Sequence, residues 1–243
     1  MSEPIAETVA EPIREAFRDH RRVFWYAAGL LIATLLIFVG VGKHPGQPGT
    51  VTTWPAIGHF DAAVDRWVEA HRSGVATTIA KGLNLVGSGI VTVPLRILVA
   101  IYLLIRKRRR ALAAWILTWI VAEVGLTVAK DWYMRTRPDN PLVVTKGFSF
   151  PSGHAVATAS IAVALVLVLL PAGPHRRKWE FVAAAAAFVM ALSRVYLDAH
   201  WFSDVVAGGL IGTAVAIGWP ALLMEGRARV QRRRNRAGQE AHT

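Results

Sequence analysis

Long apolar runs constrain this 243-residue chain more than any other feature of its sequence. Six runs are each about 20 residues long, the length that a helix needs to cross the ~30 Å hydrocarbon core of a bilayer. Inside lipid the backbone must satisfy its own hydrogen bonds, so the runs predict an all-α, polytopic membrane bundle with six transmembrane helices. The runs are residues 23–42, 87–105, 111–129, 154–171, 179–197 and 203–224.

The distribution of Lys and Arg between the connecting segments predicts the orientation. With alternate crossings, 18 of the 28 basic residues fall on one side and nine on the other, while Arg96 lies inside a run. Cytoplasmic loops carry the excess of basic residues. We therefore expect a cytoplasmic segment 1–22, a transmembrane domain 23–224 and a basic cytoplasmic tail 225–243. The net charge of +12 fits this topology, so no nucleic-acid partner is expected, although the tail could lie against anionic membrane lipids.

The outer segment 43–86 is too long for a simple connector. Two amphipathic helices are predicted there, because apolar residues recur at helical spacing, with charged residues on the remaining surface of the first helix. The apolar positions are Phe60, Val64, Trp67 and Val68, then Val75, Ile79, Leu83 and Val86; the charged ones are Asp61, Asp65, Arg66 and Glu69. Such helices form either a short extracytoplasmic interfacial region or a cap packed on the bundle.

Two clusters of polar residues flank the predicted connection between the third and fourth spans. Lys130, Arg135 and Arg137 end the third span, where they either build an anion site or extend toward lipid phosphates. Ser152 and Gly153 precede His154 at the start of the fourth span. Ser152 is expected to cap this helix, whose free N–H groups suit a phosphate, although an interfacial histidine without a function is the alternative.

A third cluster, Ser193, Arg194, His200 and Asp204, lies between the fifth and sixth spans. His200 and Asp204 are four residues apart, so the carboxylate can accept from one ring nitrogen and leave the other as a nucleophile, although such a pair alone is common. Two crossings separate His154 from Ser193, which puts all three clusters on the outer side. The clusters hold no set of ligands suited to Mg²⁺ or zinc, so neither a metal nor another cofactor is expected.

With these clusters the chain resembles the type 2 phosphatidic acid phosphatases, also called lipid phosphate phosphatases. The signature of that family is K-x6-RP, PSGH and SR-x5-H-x3-D. It is matched without departure by Lys130 to Pro138, Pro151 to His154, and Ser193 to Asp204. The order of the motifs, their places at the ends of the spans and the chain length fit the smaller, bacterial-type members with six spans.

The resemblance implies a phosphatase that acts on a lipid phosphate at the outer face of a bacterial plasma membrane. His200 would attack phosphorus and form a phosphohistidine, Asp204 would orient it, and His154 would protonate the leaving oxygen. Candidate substrates are undecaprenyl diphosphate, phosphatidylglycerol phosphate and phosphatidic acid. The groups implied to hold the phosphoryl oxygens are Lys130, Arg137, the Ser152 hydroxyl, the Gly153 N–H and Arg194.

Two other classes of protein remain as alternatives. Vanadate-dependent haloperoxidases share the same constellation, but they are soluble and much longer. A membrane protein that binds or transports a lipid phosphate without cleaving it would use the cations, but it would not need His200 and His154. The sequence does not predict the oligomeric state.

Further charged and aromatic residues carry structural expectations. Arg96 and Glu123 lie at similar depth in the second and third spans, and we expect them to pair beneath the site. Four aromatic residues near the motifs are expected to form an interfacial belt. They are Trp132, Tyr133, Phe148 and Phe150.

Overall fold

The computed structural model describes residues 25–26, 28–42, 52–171 and 173–218, and every regular element in these ranges is an α-helix. The all-α prediction is therefore confirmed for the described chain. The predicted end segments 1–22 and 225–243 lie outside it. The eight helices are α1 (Ala28–Val41), α2 (Pro55–Ala70), α3 (Gly74–Val86), α4 (Gly89–Ile105), α5 (Arg109–Tyr133), α6 (Gly153–Leu169), α7 (Pro174–Tyr196) and α8 (Phe202–Gly218).

Helices occupy all six predicted runs, but their lengths do not confirm six crossings. Within the described residues, α5 and α7 are long and apolar enough to cross a membrane, and α3 with α4 would add a third span bent by 43°. The apolar helices α1, α6 and α8 are shorter than 18 residues. A helix of 17 residues, such as α6, is only about 25 Å long. The chain is thus a membrane protein by its helices, and the number of spans stays a prediction.

Both helices predicted in the outer segment are present. Phe60 and Trp67 of α2 are 55% and 63% exposed, whereas Asp61, on the part of the helix that the sequence assigns to charged residues, is 1% exposed. The carboxylate of Asp61 therefore faces the protein. Both α2 and α3 contact α7, so this region packs on the bundle while it presents apolar side chains outward.

The close approach of α6 and α8 brings two of the sequence motifs together. A Cβ atom on Gly208 would lie 2.7 Å from the Ser152 carbonyl oxygen, and one on Gly212 would lie 2.5 Å from that of Val156. Small residues one turn apart let two helix backbones approach closely. The start of α6 consequently meets the start of α8, where the Ser152 N–H donates to the Asp204 carbonyl oxygen at 3.0 Å.

The predicted pair of charges inside the bundle is confirmed. Arg96 on α4 donates through Nη1 to Glu123 Oε1 on α5. The Arg96 side chain is buried and its guanidinium lies 5.4 Å from the centre of the Trp119 ring, whereas Glu123 is half-exposed. Trp115 Nε1 donates to the Arg96 carbonyl oxygen at 2.9 Å. These contacts join α4 to α5 within the bundle.

The aromatic residues around the motifs divide into two groups. Tyr133 and Phe150 are buried and pack edge-on against Phe38 of α1, with ring centres 5.1 Å and 5.0 Å away. The prediction of an interfacial belt is wrong for these two, because they fill the space between α1 and the connection 134–152 that joins α5 to α6. Trp132 is 60% exposed and Phe148 is 36% exposed, so both reach the molecular surface.

Replacing Gly212 by Ala is expected to destabilise the fold. The added methyl group would meet the backbone of α6, which cannot move aside without separating the two helices. We expect a loss of about 1–3 kcal/mol, seen as a lower thermal unfolding midpoint in detergent. The matched control is Gly209→Ala, because a Cβ there meets nothing within 4 Å. Equal midpoints for the two variants would contradict close packing of α8 on α6.

Candidate active site

His200 lies in the short connection between α7 and α8. Asp198 takes a left-handed conformation (φ 56°) and turns the chain back toward the bundle. His200 is 3% exposed, and its Nδ1 lies 3.5 Å from Asp204 Oδ2, an approach without an aligned hydrogen bond. Asp204 Oδ2 also accepts from the Trp201 N–H at 3.0 Å, so the carboxylate caps the first turn of α8. The predicted His–Asp pair is present.

Arg137 contacts the other ring nitrogen of His200. Its Nη1 lies 3.2 Å from His200 Nε2 and 2.5 Å from the Ala199 carbonyl oxygen. A guanidinium can only donate, so Nε2 must hold a lone pair, and the ring proton is placed on Nδ1, facing Asp204. The other Arg137 donors reach the carbonyl oxygens of Lys146, Gly147 and Phe148, so that all five N–H groups have acceptors.

The surroundings of His200 keep its ring neutral. Burial, together with the positive charges of Arg137 and Lys130, lowers the pKa of His200 to about 3 against the opposing effect of Asp204. An imidazole with this pKa is unprotonated at neutral pH, which is the form that can act as a nucleophile.

The start of α6 lies beside this turn. Ser152 occupies the N-cap position, but its hydroxyl makes no capping hydrogen bond, so the predicted cap is wrong. The Oγ atom is buried and has no hydrogen-bond partner within the described chain. Gly153 and His154 form the first turn, where the helix leaves N–H groups free for an anion. The buried hydroxyl is therefore available to a ligand.

The two remaining cations approach the same place from α5 and α7. Lys130 Nζ donates to the Phe148 carbonyl oxygen, which Arg137 shares at 3.1 Å. Arg194 donates through Nη1 to Asn84 Oδ1, while its buried Nε has no partner among the described residues. The charges of Arg194 and Arg137 are close enough to repel each other. All eight residues predicted from the motifs are thus brought into one site.

Comparison with known proteins identifies the family of this chain. Residues 111–227 match the PAP2 superfamily. The chain is 30% identical over 164 residues to decaprenylphosphoryl-5-phosphoribose phosphatase of Mycobacterium tuberculosis, an alignment that covers 59% of this chain and 78% of that protein. The chain belongs to the PAP2 superfamily. The predicted resemblance is confirmed, and the chain is a phosphatase rather than a lipid-phosphate binding or transport protein.

Two further comparisons are with a phosphatase sequence and a solved structure from Bacillus subtilis. Phosphatidylglycerophosphatase B of Bacillus subtilis is 26% identical over 162 residues, which are 65% of this chain and 80% of that protein. The crystal structure of a transmembrane PAP2 type phosphatidylglycerolphosphate phosphatase from Bacillus subtilis superposes with a TM-score of 0.70. It covers 83% of this chain and 97% of that chain at 24% identity, a likeness that concerns the fold.

Three residues around the PAP2 site were missed or left aside by sequence reasoning. Asn84 on α3 accepts from Arg194 through Oδ1 and lies 3.1 Å from His154 Nε2 through its carbonyl oxygen. Asp61 and Arg135 form a buried group with Asp204. Asn84 and Asp61 lie outside the matched range 111–227, and no spacing rule links them to the motifs. Arg135 was visible in its cluster, but its distant acidic partner was not.

The low pKa of His200 predicts a loss of stability in acid. The unfolded chain binds a proton on His200 near pH 6.5, while the folded protein does so only near pH 3. As the pH falls through this window the unfolded state therefore binds more protons, and between pH 7 and pH 5 this costs on the order of 1–2 kcal/mol. Thermal unfolding in detergent should show a smaller decrease for His200→Gln than for the wild type. His59→Gln, at an exposed position on α2, should behave like the wild type; parallel decreases in all three would refute the assignment.

Proposed function

We propose that this PAP2 phosphatase hydrolyses a lipid phosphate or prenyl diphosphate through a phosphohistidine on His200. The observation that carries the proposal concerns His200 Nε2. This atom holds a lone pair on a buried neutral ring, lies 3.2 Å from the Arg137 guanidinium and is beside a helix N-terminus. A nucleophile, an orienting carboxylate and an anion site in one place match the parts that phosphoryl transfer requires.

In the first step, a phosphate replaces Arg137 as the neighbour of Nε2. The lone pair attacks phosphorus, the P–O bond to the lipid breaks, and His154 gives its proton to the leaving oxygen. The negative charge of the bound phosphate favours the protonated form of His154 that this requires. Asp204 stabilises the positive ring that forms on His200. The groups that hold the phosphoryl oxygens are Lys130, Arg137, Ser152 Oγ, the Gly153 N–H and Arg194.

In the second step, water hydrolyses the phosphohistidine. His154, now neutral, accepts a proton from the water as its oxygen attacks phosphorus. The P–N bond breaks, inorganic phosphate leaves, and the electron pair returns to His200 Nε2. Every proton in this cycle moves between the substrate, water and His154, so the proposal requires neither a metal ion nor an organic cofactor.

A lipid substrate is supported by the surface around the cations. Phe148, whose carbonyl oxygen accepts from Lys130 and Arg137, is 36% exposed, and Val128, two residues before Lys130 on α5, is 62% exposed. Apolar side chains beside a phosphate site suit a phosphate that remains attached to a membrane lipid. The relatives above are named for a glycerophospholipid phosphate and for a polyprenyl phosphate sugar. We therefore propose phosphatidylglycerol phosphate, phosphatidic acid and undecaprenyl diphosphate as candidates.

We further propose six membrane spans, cytoplasmic termini and an active site at the outer face of the bacterial plasma membrane. The excess of basic residues in the connections 106–110 and 176–178 supports this orientation. It agrees with the clustering of Lys130, His154 and His200 at one end of the bundle.

Phosphate release by the purified protein tests the reaction. In detergent with EDTA, the wild type should release phosphate from at least one of the three candidate lipids, and the ranking would identify the substrate class. His200→Ala should lower kcat by roughly 10³-fold or more, because the nucleophile is lost. Activity that disappears in EDTA and returns with added metal, or that survives in His200→Ala, would contradict the phosphohistidine mechanism.

Labelling of single cysteines tests the orientation, since the chain has no cysteine of its own. Val144→Cys is the outer reporter, because Val144 is 91% exposed in the loop between the first two motifs. Arg108→Cys is the inner reporter in the exposed connection between α4 and α5. A membrane-impermeant maleimide should label only the outer reporter in intact cells and both after permeabilisation. The reverse pattern would place the active site in the cytoplasm.

A further inference from the structure

We propose that Arg135, which Asp61 holds in place, is a positioning residue that fixes the carboxylate of Asp204 so that it can orient His200. The inference rests on the proposed role of His200 as nucleophile. It concerns residues that contact neither the reacting atoms nor the cations proposed to bind phosphate. It assigns a catalytic purpose to a buried group of charged residues formed by α2, the connection 134–152 between α5 and α6, and α8.

Arg135 is 4% exposed and is held on both sides of its guanidinium. Nη1 donates to Asp204 Oδ1 at 2.6 Å and to Ser203 Oγ at 2.8 Å. Nη2 donates to Asp61 Oδ2 at 2.7 Å. The guanidinium also lies 5.5 Å from the centre of the Trp201 ring. Asp204 is therefore held at Oδ1 by Arg135 and at Oδ2 by the Trp201 N–H, which fixes the plane of the carboxylate with Oδ2 facing His200 Nδ1.

Asp61 completes the group from the opposite side. This carboxylate is 1% exposed, and it accepts from the Ser203 N–H at 2.8 Å and from Ser203 Oγ at 2.6 Å in addition to Arg135. Ser203 is adjacent to Asp204 in the chain. Asp61 thus anchors both the guanidinium that orients Asp204 and the backbone that carries it.

The balance of charges explains why two carboxylates share one guanidinium. Burial alone would lower the pKa of Arg135, but Asp204 and Asp61 outweigh this effect and hold that pKa above its ordinary value. Burial raises the pKa of Asp61 above its ordinary value against the lowering effects of Arg135 and Ser203. Asp61 is thus a second acceptor for the guanidinium, while Asp204 presents negative charge to the ring that becomes cationic on phosphorylation of His200.

Stability alone does not account for such a group. Burying ions costs desolvation energy, and apolar residues of similar volume often stabilise a fold equally well. Positioning, by contrast, requires a rigid group that holds its partners at fixed distances, and the planar guanidinium does so with one hydrogen bond to Asp204 and one to Asp61. The position of the guanidinium behind the carboxylate proposed to orient the nucleophile points to catalysis.

A double-mutant cycle with Asp204 tests the proposal. Phosphate release from phosphatidylglycerol phosphate in detergent micelles is measured for the wild type, Arg135→Gln, Asp204→Asn and the double variant. Arg135→Gln should lower kcat about 100-fold, because the His–Asp geometry is lost, and should change KM by less than about 3-fold. In the Asp204→Asn background the same substitution should change kcat by less than about 3-fold, since its target is already gone.

Multiplicative losses in the double variant would overturn the proposal, because they would mean that Arg135 acts independently of Asp204. Thermal unfolding is recorded for each protein. If Arg135→Gln does not fold, Arg135→Lys and Asp61→Asn take its place in the same cycle, and the same multiplicative result would overturn the proposal. Matched controls are Arg66→Gln and Asp139→Asn at exposed positions, which should retain wild-type kcat.

The experiment separates this inference from the proposed function. An inactive wild type, or an active His200→Ala variant, would reject the phosphohistidine reaction and the positioning role with it. An active wild type, an inactive His200→Ala variant and multiplicative losses would reject the positioning role alone.

Discussion

The active site depends on the close contact between the N-terminal halves of α6 and α8. Gly208 and Gly212 remove the side chains that would separate the two backbones, and the Ser152 N–H then bonds the Asp204 carbonyl oxygen at 3.0 Å. This contact fixes a helix N-terminus beside a carboxylate-bearing turn. The part of the site proposed to bind phosphate and the part proposed to carry the nucleophile are thereby joined through the main chain of two helices.

The cations of the site are held by oxygen dipoles as well as by opposite charges. Arg137 donates to four carbonyl oxygens, and Lys130 and Arg194 each bond one uncharged oxygen atom. Carbonyl oxygens partly replace the hydration that a buried cation loses, but they leave its charge uncancelled. An arriving phosphate therefore meets positive charge that is already oriented, which is the condition for electrostatic stabilisation of phosphoryl transfer.

Sequence reasoning succeeded where the information is local and failed where it is distant. The motif residues and the pairing of Arg96 with Glu123 follow from spacing and from helix geometry, so both were predictable. The hydroxyl of Ser152 was expected to cap α6, but a residue type alone does not tell whether an oxygen is turned to its own helix or to a ligand. Asp61 lies 74 residues before its partner Arg135, and no periodicity in α2 distinguishes it from a solvated acid.

The site therefore has two parts with different origins in the chain. The residues proposed to meet the phosphate lie within the range 111–227 shared with the PAP2 superfamily. Asp61 on α2 contacts Ser203 and Arg135, and Asn84 on α3 contacts Arg194, from outside that range. The relatives above are named for different lipids, and the groups proposed to meet the phosphate recognise a phosphate and not a lipid chain. A choice of lipid would then depend on the surfaces around these groups, where α2 and α3 present exposed apolar side chains such as Phe60, Trp67 and Ile79. The contact of Asp61 with Arg135 connects α2 to the carboxylate proposed to orient His200, so recognition of the lipid and the geometry of the proposed nucleophile are linked through it.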